Sequence, residues 1–436
     1  MTQNWDVVIV GGGLAGYVAA NYLTEANLSI LVIEKGKVVG GRARTNKVKQ
    51  QYLNLGPHAL LKKGKATSIL KELGISLSGK SPKLGGILVE NNMEYVAPFS
   101  PLGLFTTRLL NNKERIEWIA ALWKVMTIDP ENLAEQTFQQ WVIQISNSEK
   151  IKSLLYMLAR LATYCHAPEM VSAKVTILNI KNAMAGVIYL DGGWQTIIDQ
   201  LHNTAITSGI QLRTHTLVKE IHPAQQNQFK LILSNEEEIY AKYVICTTGP
   251  HELNDMLNKH VQYQQNSFFT EMIAVKGATL DVALTQLPNP RRLFAMNITD
   301  PFYYSVHSNY ARLSDDGKSA VLHVFKYHHP NDCIDGTSSK NELEKFLDRL
   351  QPGWQKYVIK SRFIPTITVN QRLPQIGDEH MLLRSKTEIL GLYIAGDWTS
   401  PNAILAEGAI SSGKQAAEDI LLKEEEENSA NYKRRI

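Results

Sequence analysis

Gly11, Gly13 and Gly16, read together with Glu34, are the first residues in this chain whose types and spacing imply chemistry. In a G-x-G-x-x-G turn the first glycine permits the tight bend and the second lets backbone approach a diphosphate. The third lets helix and strand pack closely. Leu14 and Ala15 follow at the start of a helix, where free N–H groups and the helix dipole favour an anion. Glu34 lies 23 residues after Gly11, with Lys35 beside it. That is the spacing of an acid that grips ribose hydroxyls. A carboxylate there repels a 2′-phosphate, so NADP is disfavoured while NAD and FAD remain.

The elements around these residues agree. Trp5–Val10 is a short β-branched run, Leu14–Glu25 reads as a helix and Ser29–Ile33 as a second strand. The order strand, glycine turn, helix, strand is a βαβ unit. Between Pro98 and Tyr164 the pattern is helical, with helices expected over Asn112–Met126 and Glu131–Ile145 around the Asp129-Pro130 break. Strands are expected over Ile210–Arg213, Leu217–Ile221, Phe229–Leu233, Tyr243–Thr247, Ile273–Ala283, Ala320–Tyr327 and Gly391–Ala395. A helix over Glu407–Leu422 follows, and the charged tail 423–436 reads as solvated and frayed.

Two further segments extend the dinucleotide motif, and the resemblance they carry implies FAD rather than NAD. Val39-Gly40-Gly41-Arg42-Ala43-Arg44-Thr45 places an arginine fork next to two glycines, directly after the second strand. Near the other end, Gly391–Thr399 (GLYIAGDWT) and Ala406–Ile420 (AEGAISSGKQAAEDI) form a buried strand, a Gly396-Asp397 turn and a small-residue helix start. With these, the chain resembles the flavin amine oxidase and phytoene desaturase superfamily, closer to the desaturase-like branch. Leu53–Leu60 (LNLGPHAL), Tyr189–Leu201 and Leu217–Ile221 (LVKEI) match other blocks of that family, although Asn54 stands where Asp is common.

The resemblance implies an α/β fold, a glutathione-reductase-like FAD-binding Rossmann domain with an inserted α+β substrate domain. The FAD domain is expected to be discontinuous, over 1–95, 186–252 and 366–422, with the substrate domain over 96–185 and 253–365. It further implies non-covalent FAD, no cysteine following Cys333 to tether it. Asp397 would contact the ribityl–phosphate region, Gly408 and Ala409 the flavin pyrimidine edge, and Val218 the adenine. Gly56, Pro57 and His58 would pass close to the flavin.

The implied activity is oxidoreduction: a substrate C–H bond gives a hydride to the flavin, which O2, a quinone or another acceptor then reoxidises. No aromatic residue precedes Glu407-Gly408-Ala409, where amine oxidases of the superfamily place a cage wall. An apolar, isoprenoid- or carotenoid-like substrate is therefore the first reading and an amine the second. A non-catalytic lipid-binding protein of the same fold is the third. His58 and Lys276 are the weak catalytic candidates, each also readable as an ordinary hydrogen-bonded histidine and a surface lysine.

Composition sets the outer limits. The chain has 436 residues, more than one core usually serves, and a net charge of +4 too small to point to nucleic acid. Cys165, Cys246 and Cys333 fit no metal-ligand or disulfide spacing, which favours a reducing cytosol. Met1 to Asp6 lack the basic residues of a secretory signal. Pro98–Leu110 sets apolar residues beside Arg108, as expected either of peripheral membrane contact or of a helix under the substrate cavity.

Overall fold

The computed structural model describes residues 3–83, 85–224, 228–257, 265–382 and 385–435. Parallel strands at both ends and the middle of the chain meet in one seven-stranded sheet. Its parallel part runs Gln211–Arg213, Ile30–Ile33, Gln3–Val10, Glu238–Cys246 and Leu392–Ile394. Phe229–Leu233 and Val218–Pro223 extend it antiparallel. The parallel strands are Val- and Ile-rich because both faces are covered. Helix Leu14–Leu23, all ten residues buried, packs on one face. The long helix Leu405–Arg435 crosses it where Gly413 has no side chain: a Cβ there would stand 2.4 Å from the Ala15 carbonyl oxygen.

The second seven-stranded sheet is ordered Val358–Asn370, Val275–Leu284, Ala320–Tyr327, Phe302–Val306, Phe294–Asn297, Ile87–Glu90, Met93–Val96. The last two strands form a hairpin turned by Asn91 and Asn92, both left-handed. All but Val96 of their residues precede residue 96, where the sequence reading begins the second domain, yet they pair in this sheet. Helices between Pro101 and Met184 pack around a core that includes Trp118, Phe138 and Trp141.

Two helix expectations change. Instead of one helix over Glu131–Ile145 there is a 3-10 turn, Pro130–Leu133, and a new helix, Phe138–Ile145. Thr137 and Gln140 form a reciprocal capping box that starts this second helix. In the tail, helix continues to Arg435, and Glu424 and Glu427, three residues apart on one face, both pair with Lys242 of the sheet.

Candidate active site

The three glycines of the first turn are each constrained differently. Gly11 has φ +112°, and a Cβ on it would meet Thr247 Oγ1 at 2.3 Å. The Thr247 hydroxyl in turn donates to the carbonyls of Val10 (2.9 Å) and Gly11 (3.1 Å), which fixes the bend. Gly16 would drive a Cβ to 2.1 Å from the Gly11 carbonyl oxygen, so its bareness lets helix and turn touch. Gly13 is the opposite case, with no atom within 4 Å of a Cβ built on it. It is the N-cap of helix Leu14–Leu23 without a side-chain cap. Open space in front of uncapped helix N–H groups is a cradle that fits a diphosphate.

Glu34 ends the second strand and is held by backbone: its Oε2 accepts from Gly12 N (2.9 Å) and its Oε1 from Gly36 N (2.7 Å). Lys35 pairs at the surface with Glu252 (2.6 Å), whose carboxylate also accepts from Gly249 N (3.1 Å). Burial acts to raise the Glu252 pKa, but Lys35 and that backbone donor hold it below the usual range.

The Arg42 fork is on Asp397. Nη1 meets Oδ2 at 2.5 Å and Nη2 meets Oδ1 at 2.7 Å, with Val369 O accepting from Nη1 at 3.1 Å. Asp397 is 2% exposed and also accepts from Gln371 N (3.1 Å). Burial opposes the guanidinium charge, yet the adjacent carboxylate more than offsets it and raises the Arg42 pKa. This planar two-point pair ties the turn after the second strand to the Gly396-Asp397 turn near the other end of the chain.

His58 is half-buried with each ring nitrogen near a carbonyl, Nδ1 to Gly56 O at 3.0 Å and Nε2 to Arg42 O at 3.1 Å. Burial holds its pKa below the ordinary imidazole range, so it is neutral at pH 7 and donates to only one of the two. Behind it Gly56 N lies 3.4 Å from Asp281, a fully buried carboxylate shared by His323 (2.7 Å) and Arg362 (2.6 Å). Glu407 reaches to the start of helix Lys65–Glu72, where its Oε2 accepts from Ala66 N at 3.1 Å, and burial raises its pKa.

Many of these residues line one continuous cavity of about 1300 Å3. Of the residues singled out from sequence, Gly11, Gly13, Leu14, Ala15, Glu34, Lys35, Gly41, Arg42, Pro57, His58, Val218, Gly396, Asp397 and Ala409 face it. Gly16, Gly56 and Gly408 do not; Gly408 packs on Asp397, where a Cβ would come within 3.1 Å of its Cα. Lys276 is exposed on strand Val275–Leu284 and is not among the lining residues, which leaves it no part in this site. The sequence reading missed the aromatic end of the cavity: Tyr164, Tyr189, Tyr303, Tyr310, Phe294 and Phe325. Tyr164 donates to Pro57 O (2.9 Å), which joins that wall to the His58 segment.

Comparison with known proteins identifies the family. The family described as flavin containing amine oxidoreductase matches residues 14–421. Amine oxidase [flavin-containing] B of Mus musculus is 30% identical over 130 residues, 29% of this chain and 24% of that one. An L-amino acid oxidase of Crotalus durissus cumanensis is 41% identical over 73 residues, 16% of this chain and 15% of its own. The matched stretches thus cover a quarter or less of these two relatives. Among solved structures, putrescine oxidase bound to putrescine superposes with a TM-score of 0.76 at 15% identity, covering 97% of this chain and 100% of that one. A putative protoporphyrinogen oxidase from Exiguobacterium gives 0.74 at 17% identity, covering 97% and 99%. Both likenesses concern the fold. The chain belongs to the flavin containing amine oxidoreductase family.

Proposed function

We propose that the protein is an FAD-dependent oxidoreductase whose substrate is apolar, isoprenoid- or carotenoid-like, and that at the aromatic end of the cavity this substrate gives a hydride from one carbon to the flavin and a proton from the adjacent carbon to solvent, leaving a double bond. The observation that carries this is where the charges lie. The lining carboxylates are Glu34, Glu220, Glu252, Asp255, Asp397 and Glu407. Asp397 is taken by Arg42 and Glu252 by Lys35, Glu34 is oriented by backbone, and Glu407 keeps one oxygen on the start of a helix while burial disfavours its charge. Glu220 and Asp255 flank Val218 and Glu252. The wall of Phe99, Leu161, Tyr164, Leu293, Phe294 and Phe325 offers no acid to an ammonium group.

In this reading the Gly11–Gly16 turn holds the diphosphate, Glu34 the ribose and Val218 the adenine. Arg42 orients Asp397 toward the ribityl chain, Ala409 lies at the pyrimidine edge, and neutral His58 sits beside the ring. Bound FAD supplies the two-electron acceptor, and O2, a quinone or another acceptor restores it. The aromatic wall excludes water from the reacting C–H bond.

An amine is the second reading, favoured by the phenol-rich wall of Tyr164, Tyr189, Tyr303 and Tyr310, whose ring faces attract a cation. Equilibrium binding of a labelled isoprenoid hydrocarbon to the holoprotein separates the two. The first reading expects saturable binding insensitive to salt and to added polyamine. Displacement by polyamine, or failure of the hydrocarbon to bind, would overturn it.

A further inference from the structure

Helices Pro101–Thr106 and Asn112–Thr127 leave large apolar side chains in water. Leu102 is 74% exposed, Phe105 76%, Ile116 71% and Trp123 65%. On the second helix Ile116, Ile119, Trp123 and Met126 recur at three- and four-residue intervals, so they form one stripe. Trp118, Ala121 and Val125 form the opposite, buried stripe. This helix is thus apolar on two faces with only one of them packed, and a patch of this kind marks an interaction surface.

The charges beside the patch identify the partner. Arg108, Lys113 and Lys124 are exposed on the same two-helix segment. The acids of the second helix are occupied within the protein. Glu114 binds Asn111 N and Lys150, and Glu117 accepts from Ser146. Apolar side chains with free basic groups around them match an anionic bilayer, where acyl chains take the first and headgroups the second.

The position is also suitable. Phe99, which lines the cavity, stands two residues before the first of these helices. The Trp118 indole N–H donates to Pro98 O at 3.0 Å and clamps the second helix to that segment. We propose that the exposed face of these two helices is a docking surface for an anionic lipid bilayer, set at the Phe99 end of the cavity. Docking stands on the surface alone. Its use, delivery of substrate from the bilayer, rests on the apolar-substrate reading.

Flotation of the holoprotein with vesicles tests it, using phosphatidylcholine alone or mixed with phosphatidylglycerol. Wild type should float with the mixed vesicles, less at high salt and less with phosphatidylcholine alone. Phe105→Ser with Trp123→Ser should weaken binding by about tenfold per side chain. Arg108→Glu, Lys113→Glu and Lys124→Glu should each weaken it at least about fivefold, and only toward the anionic vesicles. All five positions are exposed, so flavin content and melting should be unchanged and serve as the folding control. No flotation of wild type, or flotation that both sets of variants leave intact, would overturn the proposal. So would a concentration-dependent dimer lost in the Phe105/Trp123 variant without vesicle binding, because the patch would then belong to a second copy. Vesicle binding without binding of isoprenoid hydrocarbon would retain the docking surface and remove the substrate reading.

Discussion

Adding one methyl group at Gly13 and one at Gly16 should produce opposite failures. At Gly13 the methyl meets no protein atom within 4 Å, and the backbone (φ −89°, ψ −169°) suits alanine. Alanine is a poorer N-cap than glycine, so the apoprotein should lose less than about 1 kcal/mol. The methyl enters the space in front of the helix N–H groups, where the diphosphate would displace or lose one or two charge-assisted hydrogen bonds. At about 1.5–3 kcal/mol for the first and less for a shared second, the loss is roughly 2–4 kcal/mol, or about 30- to 700-fold in the Kd for FAD. At Gly16 the methyl stands 2.1 Å from the Gly11 carbonyl oxygen, and no rotamer relieves a contact between Cβ and backbone. Overpacking of this kind costs about 1–3 kcal/mol, against the usual gain for alanine in a helix. Urea unfolding of the apoproteins and flavin-fluorescence titration of both variants measure the two effects. If Gly13→Ala bound FAD like wild type, or Gly16→Ala were as stable as wild type, the assignment of the two glycines would be refuted.

Arg42→Ala leaves the Asp397 carboxylate, 2% exposed, without its cation. The apoprotein should lose about 2–4 kcal/mol, somewhat below the figure for a wholly buried pair because the Arg42 side is partly open, as read by denaturant unfolding. For Asp281, burial pushes the pKa up but His323 and Arg362 outweigh it and hold it below the usual value. A depressed carboxyl stabilises the fold above its unfolded pKa of about 3.9 and loses that contribution as pH falls toward the folded value. The melting temperature of Asp281→Asn, lower than wild type at pH 7, should therefore converge on wild type below about pH 4. His166 is held at about 4, chiefly by burial, with Arg160 and His329 adding to the effect. The fold resists its protonation, so stability should fall as pH drops below about 6.5, by about 1–2 kcal/mol at pH 5 for this group. His166→Asn should flatten that part of the pH–stability curve, and an unchanged slope would count against the assigned environment.

The turns that line one part of the cavity were legible because their signals are local. Gly11 to Gly16, Glu34 and Gly396-Asp397 each sit at the end of a strand whose β-branched run is visible beside them. The partner of Arg42 was not legible, since Asp397 stands 355 residues away and only the parallel pairing of Glu238–Cys246 with Leu392–Ile394 brings it near. The aromatic wall was hidden for the same reason. Tyr164 follows a helix, Tyr189 lies on a short strand, and Tyr303 and Phe325 come from neighbouring strands of the second sheet. No spacing relates them before folding. For Lys276 the surface-lysine alternative fits: alternation on Val275–Leu284 leaves both residue faces open in sequence, and the fold turns this one outward. The restart at Thr137 was readable, as Thr-x-x-Gln is a capping-box pattern, whereas helix through the Glu424–Glu427 run depends on Lys242 from a distant strand.

The central claim is that apolar C–H bonds, not amines, deliver electrons into this cavity. Its most direct test is the absorbance of the oxidised flavin under anaerobic conditions after mixing the holoprotein with detergent-dispersed isoprenoid hydrocarbon, and separately with polyamines and aromatic amines. The account predicts bleaching by the hydrocarbon and a stable yellow spectrum with every amine. Bleaching by amines alone would contradict it.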